Sequence, residues 1–130
     1  MTDIAALLNA AREARDRAYA PYSNFHVGAA VLARDGRVFT GCNVENASYG
    51  LCNCAERTAL FSAIAAGARP GDLTHIAVIA DCPAPASPCG ACRQVMVELG
   101  GPQLVVIRAN LNGQIVQTTA GELLPDAFTL

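Results

Sequence analysis

Six of the 130 residues are cysteines, and their spacing carries the chemistry. Pro88-Cys89-Gly90-Ala91-Cys92 is the sharpest local pattern. Two cysteines three apart at a helix start send their sulfurs into one small volume. The free N–H groups and positive potential of a helix N-terminus favour the thiolate form there. Alone, this pattern fits a redox dithiol or half of a structural zinc site equally well. Cys54, at the start of another predicted helix, is the third candidate ligand, and Cys52 is its nearest rival. Cys54 is the better choice because it sets Glu56 one helical step beyond a metal. Zinc takes four ligands, so three thiolates would leave one position for water, the mark of a catalytic site. Glu56 can sit beside such a metal without binding it and handle the protons of the water.

Each of these residues needs an element to hold it. Residues 3–19 place apolar side chains at Ile4, Leu7, Leu8, Ala11, Ala14 and Ala18, the spacing of an amphipathic helix that Pro21 ends. Residues 26–33 and 37–43 read as strands, and Asp35-Gly36 between them signals a hairpin. Residues 54–66 read as a helix stopped by Gly67. Residues 75–80 form a short apolar run typical of a buried strand, and residues 89–99 a helix closed by Gly100-Gly101. Residues 103–109 and 114–118 are strands, and one further turn of helix lies in the tail from Gly121 to Leu130. The order α-β-β-α-β-α-β-β-α predicts an α/β fold, a mixed sheet with helices on its faces. The link between the last two strands is too short for a parallel crossover, so they must run antiparallel.

Composition excludes several other functions. The chain is 52% hydrophobic and 15% charged, with a formal net charge of −2 and a mean hydropathy of +0.29. It is therefore neither disordered nor an electrostatic nucleic-acid binder. All nine basic residues are Arg, which removes Schiff-base and phosphate-loop lysines. The two histidines, His26 and His75, are too few for an imidazole-based site. The apolar runs are far short of the roughly 20 residues that span a bilayer, and the N-terminus lacks a secretory leader's basic and apolar regions. A cytoplasmic protein with reduced thiols, and no membrane partner, is the expectation. Cysteine is too sparse for a disulfide scaffold.

The run from Asn43 to Leu60, Asn-Val-Glu-Asn-Ala-Ser-Tyr-Gly-Leu-Cys-Asn-Cys-Ala-Glu-Arg-Thr-Ala-Leu, resembles the cytidine deaminase family, small homotetrameric type. The likeness continues in Tyr22-Ser23-Asn24-Phe25-His26-Val27-Gly28-Ala29-Ala30, in Ser87-Pro88-Cys89-Gly90-Ala91-Cys92-Arg93-Gln94-Val95, and in Glu122-Leu123-Leu124-Pro125 followed by Phe128. It covers nearly the whole chain in order. Zinc deaminases pair a His/Cys/Cys or three-cysteine site with a glutamate that moves protons.

The resemblance implies a single domain over residues 1–130 with a three-layer α/β/α architecture around a mixed five-stranded sheet. It implies one Zn²⁺ per subunit on Cys54, Cys89 and Cys92, with Glu56 as the proton shuttle. Asn43 and Glu45 would hold the ribose hydroxyls, Phe25 would pack on the pyrimidine, and the Ala55 backbone N–H would meet the base carbonyl. Phe128 would reach a neighbouring subunit's site, and Tyr49 would lie at subunit contacts, in a homotetramer with sites at its interfaces. The implied reaction is hydrolytic deamination of cytidine and deoxycytidine in pyrimidine salvage. Asn43 and Glu45 lie one strand period apart and so point the same way, though from spacing alone two polar residues at a strand end is the simpler reading. Phe25 on its own reads equally as a core aromatic. Arg57 is the candidate to withdraw charge from the sulfurs through charge-assisted hydrogen bonds; otherwise it is an exposed helix residue.

Overall fold

The structure, a computed structural model, describes residues 3–130. The element order is α1 (Ile4–Arg15), β1 (Val27–Ala33), β2 (Val38–Cys42), a 3₁₀ turn (Tyr49–Leu51), α2 (Ala55–Ala65), β3 (Leu73–Ala80), α3 (Gly90–Gly100), β4 (Val105–Asn110), β5 (Ile115–Thr119) and α4 (Ala120–Leu123). The sheet order is β2-β1-β3-β4-β5. Within this sheet, among the described residues, β3 and β4 pair parallel and the other neighbours antiparallel. The last two strands form the expected hairpin.

Two apolar clusters define three layers. On one face, Leu7 and Ala11 of α1 pack on Ala30, Ala77, Ile79 and Ile107. On the other, Ala55, Ala59 and Leu60 of α2 and Cys92 and Met96 of α3 pack on Ala29, Val31, Ile76 and Val106. Alternate residues of β1 therefore serve opposite cores, as a period of two requires. Strand β3 is covered on both sides and so is apolar nearly throughout.

Two glycines set how closely the helices lie on the sheet. A Cβ at Gly28 would fall 1.9 Å from the carbonyl oxygen of Ala11 in α1. One at Gly41 would fall 2.4 Å from the amide nitrogen of Ala59 in α2. The backbones of α1 and α2 rest directly on strands β1 and β2 at these points.

Helix α1 starts where Asp3 caps it, accepting from the Ala6 amide at 3.0 Å. It ends at Arg15, several residues before the predicted end at 19. The reason lies in the next segment. Tyr19 leaves the helix to exchange backbone hydrogen bonds with Asn43 and Glu45. That exchange ties the start of the chain to the residues that follow β2.

Candidate active site

Cys54 and Cys89 are the N-cap residues of α2 and α3, both in extended backbone, and neither side chain caps its own helix. Their sulfurs are thus left free at two helix N-termini, and those N-termini converge. Sγ of Cys54 lies 3.8 Å from Sγ of Cys89. With Cys92, in the first turn of α3, the three sulfurs lie within 4.8 Å of one another. Tetrahedral zinc with Zn–S bonds of about 2.3 Å needs sulfurs about 3.8 Å apart. The cluster therefore fits zinc in both donor type and spacing. Cys52 is not part of it; its sulfur sits beside the backbone of Asn46.

The start of α2 is braced from within. Thr58 Oγ1 donates to the Cys54 carbonyl at 3.0 Å and accepts from Asn53 Nδ2 at 3.1 Å. The start of α3 is braced by Arg93, whose guanidinium donates to the carbonyls of Pro88 and Leu123. Neither Thr58 nor Arg93 is assigned a role by sequence reading. Both lie inside the recognisable motifs, but nothing in their spacing shows which backbone oxygen they meet.

The electrostatics follow from this packing. The neighbouring Cys92 thiol, with the hydrogen bonds from Arg57 and Cys89, lowers the Cys54 thiol to about 5. Cys92 moves the opposite way, because it sits against the Cys54 sulfur and is desolvated. Nη2 of Arg57 donates to the Cys54 sulfur at 3.3 Å, and this bond holds the guanidinium still more firmly charged. Nε of Arg57 is buried with no partner among the described residues. Glu56 is 6% exposed. Burial pushes its carboxyl above the usual range, and the charge on Cys54 adds to that.

A cavity of about 210 Å³ opens beside the cluster, lined by Phe25, Val27, Asn43, Cys54, Ala55, Glu56, Val78, Ala86, Ser87 and Cys89. It is smaller than the roughly 300–1,000 Å³ of drug-sized sites. Two sulfurs, the carboxylate of Glu56, Ala55 at the start of α2, Asn43 and Phe25 thus share one small chamber. Val27, Val78, Ala86 and Ser87 are walls that the sequence did not reveal.

Three other expected residues stand apart within one chain. Glu45 faces a neighbouring depression with Tyr22, Ser23, Tyr49 and Cys52. Its carboxylate accepts from the amides of Tyr22 and Ser23, at 2.9 and 3.1 Å, and from the Ser23 hydroxyl. That hydroxyl, followed by the two amides, holds the Glu45 carboxyl below its ordinary value. Tyr49 is 76% exposed and meets Tyr22 edge-on, with ring centroids 6.2 Å apart. Phe128 is 69% exposed, and its carbonyl accepts from Gln94 Nε2.

A three-thiol cluster at two converging helix N-termini, beside a buried carboxylate on a mixed sheet, defines the class of zinc-dependent hydrolytic deaminases. The family model for the cytidine and deoxycytidylate deaminase zinc-binding region matches residues 1–108. The chain belongs to that family. The cytidine deaminase of Halalkalibacterium halodurans is 57% identical over 123 residues, covering 95% of this chain and 92% of the relative. That of Sporosarcina psychrophila is 49% identical, covering 98% of this chain and 92% of its own. The crystal structure of cytidine deaminase from Burkholderia pseudomallei superposes with a TM-score of 0.96 at 64% identity, covering 98% of this chain and all of that one.

Proposed function

We propose that this protein is a zinc-dependent hydrolase that converts cytidine and 2'-deoxycytidine to uridine and 2'-deoxyuridine with release of ammonia, in pyrimidine salvage. The observation that carries the reading is the trio of sulfurs within 4.8 Å of one another, two of whose cysteines, Cys54 and Cys89, line a chamber shared with buried Glu56. Cys54, Cys89 and Cys92 would hold the metal, one ion per chain. Bound zinc would supply Lewis acidity that makes water nucleophilic near neutral pH.

The protein's own residues do the rest. Glu56, whose carboxyl is held above the usual range by burial, takes a proton from water and delivers it to N3 of the ring. Water's oxygen bonds to C4, which becomes tetrahedral. Glu56 then takes the remaining proton from the C4 hydroxyl and gives it to the C4 amino group, the C–N bond breaks, and ammonia leaves a C4 carbonyl behind. The Ala55 N–H, at the start of α2, orients the base through its carbonyl. Phe25 packs on the ring, and Asn43 and Glu45 take the sugar hydroxyls. Arg57 offsets the charge of the three sulfurs.

The working unit is a homotetramer of single-domain chains, with Phe128 and Tyr49 acting across subunit contacts. Their exposure, together with that of Leu51, supports this. The compartment is the cytoplasm, in keeping with thiols that must stay reduced to bind metal. No helix among the described residues is long and apolar enough to cross a membrane. The net charge of −2 favours a small nucleoside over a nucleic acid as the partner.

The test is the fall in cytidine absorbance, with ammonia release, on adding purified protein. Activity should vanish with a strong chelator and return with zinc. Protein carrying one zinc per chain that leaves cytidine intact would refute the reading.

A further inference from the structure

Residues 22–26 form a strap between α1 and β1 that carries Phe25 to the chamber. Local bonds set part of its conformation, the Asn24 amide donating to the Ala20 carbonyl at 3.0 Å and the Phe25 amide to the Ser23 hydroxyl. Asn24 adopts φ +56°, a left-handed conformation that asparagine tolerates better than most non-glycine residues. Two side chains from beyond β2 hold it there. Asn43 Nδ2 donates to the Phe25 carbonyl at 2.7 Å, and Asn43 Oδ1 accepts from the Val27 amide at 2.8 Å. Glu45 takes the amides of Tyr22 and Ser23 on one oxygen and the Ser23 hydroxyl on the other. The same hydroxyl accepts from the Phe25 amide at 3.0 Å.

The direction of this chain is fixed. An ionised carboxylate only accepts, so the Ser23 proton must go to Glu45, and the oxygen's lone pairs are then left for the Phe25 N–H. A carboxylate offers about four acceptor sites. Three are taken by the strap, which leaves room for one further donor such as a sugar hydroxyl. We propose that Ser23 is a positioning residue: its hydroxyl bridges the Glu45 carboxylate to the Phe25 amide and so couples sugar recognition to placement of the aromatic wall against the base. The inference rests on the roles given above to Glu45 and Phe25. A hydroxyl bound at the fourth site of Glu45 pins the carboxylate, and the polarised chain of hydrogen bonds passes that order to Phe25. Because Phe25 packs on the base before and during reaction alike, losing its placement should weaken binding rather than chemistry.

Ser23 is exposed, so the variants S23A and S23T do not disturb the core. In zinc-loaded S23A the KM for cytidine should rise by about tenfold, the scale of one hydrogen bond to a charged group, with kcat within about twofold. Amide hydrogen exchange at Phe25 should accelerate. S23T, which restores the hydroxyl, should recover both values. The double variant S23A/E45Q should be no worse than E45Q, since Ser23 acts through Glu45. An unchanged KM in S23A, or losses that multiply in the double variant, would overturn the coupling. Unchanged exchange at Phe25 would overturn the bridge itself, whatever the activity. A wild-type protein inactive on cytidine would sink the proposed function and the sugar coupling together, while exchange at Phe25 would still decide whether Ser23 orders the strap.

Discussion

Three thiolates around one Zn²⁺ leave a net charge of −1, which acidifies water less than a site with a neutral imidazole would. The hydrogen bond from Arg57 to Cys54, with two helix N-termini, would oppose that charge. R57A should therefore keep the fold and the metal but lower kcat by about tenfold, the scale of one charge-assisted hydrogen bond. Circular dichroism and metal content beside steady-state rates check this, and an unchanged kcat would remove Arg57 from the role. Glu56 separates from the ligands by the same logic. E56Q should retain one zinc per chain and lose roughly 10²–10⁴ in turnover, the usual contribution of a positioned acid–base group. Glu45 gives a prediction in pH. Its folded value lies below its ordinary one, so its hold on the strap is present above the unfolded carboxyl value and is lost as pH falls through the folded one. The melting-temperature gap between wild type and E45Q should shrink as pH drops below about 4.3, the unperturbed glutamate value. A gap that stayed constant to pH 3 would show that the clasp contributes nothing.

At the scale of elements, the site depends on how near α2 can come to the sheet. The Ala59 amide and Ala55 carbonyl of α2 crowd the missing Cβ of Gly41, at 2.4 and 2.7 Å. G41A must push α2 outward, and Cys54 and Glu56 move with it. We expect a loss of about 1–3 kcal/mol or more in stability together with weaker zinc binding. A melting temperature and zinc affinity for G41A equal to those of the wild type would refute the close-packing account. Much of this layer was legible in the sequence. The hairpin at Asp35-Gly36, the buried β3 and the helix starts at Cys54 and Cys89 all follow from turn residues and apolar runs. The end of α1 was not, because a long-range bridge from Tyr19 to the chain after β2 overrides local helical spacing. The destination of Glu45 was hidden for a similar reason. Periodicity predicts that it shares a side with Asn43, and both do reach the same strap, but no pattern reveals that its partners are the amides of residues 22 and 23.

For the whole molecule the question is what Phe128 does. It stands 69% exposed, with Leu51 at 71% and Tyr49 at 76%, and within one chain it does not line the chamber. If a neighbour's Phe128 completes the chamber, two different defects should complement each other. F128A chains keep Glu56 and the metal ligands but lack the ring they would lend. E56A chains lend a ring but cannot move protons. Each homo-oligomer should be nearly inactive or impaired. Mixed by joint refolding, some chambers combine Glu56 of one chain with Phe128 of another, and activity should exceed the sum of the two separate preparations. Light scattering on the wild type should give four times the chain mass. A monomer in dilute solution, or mixtures that never exceed the sum of their parts, would confine Phe128 to its own chain and leave the exposed apolar surface without this role.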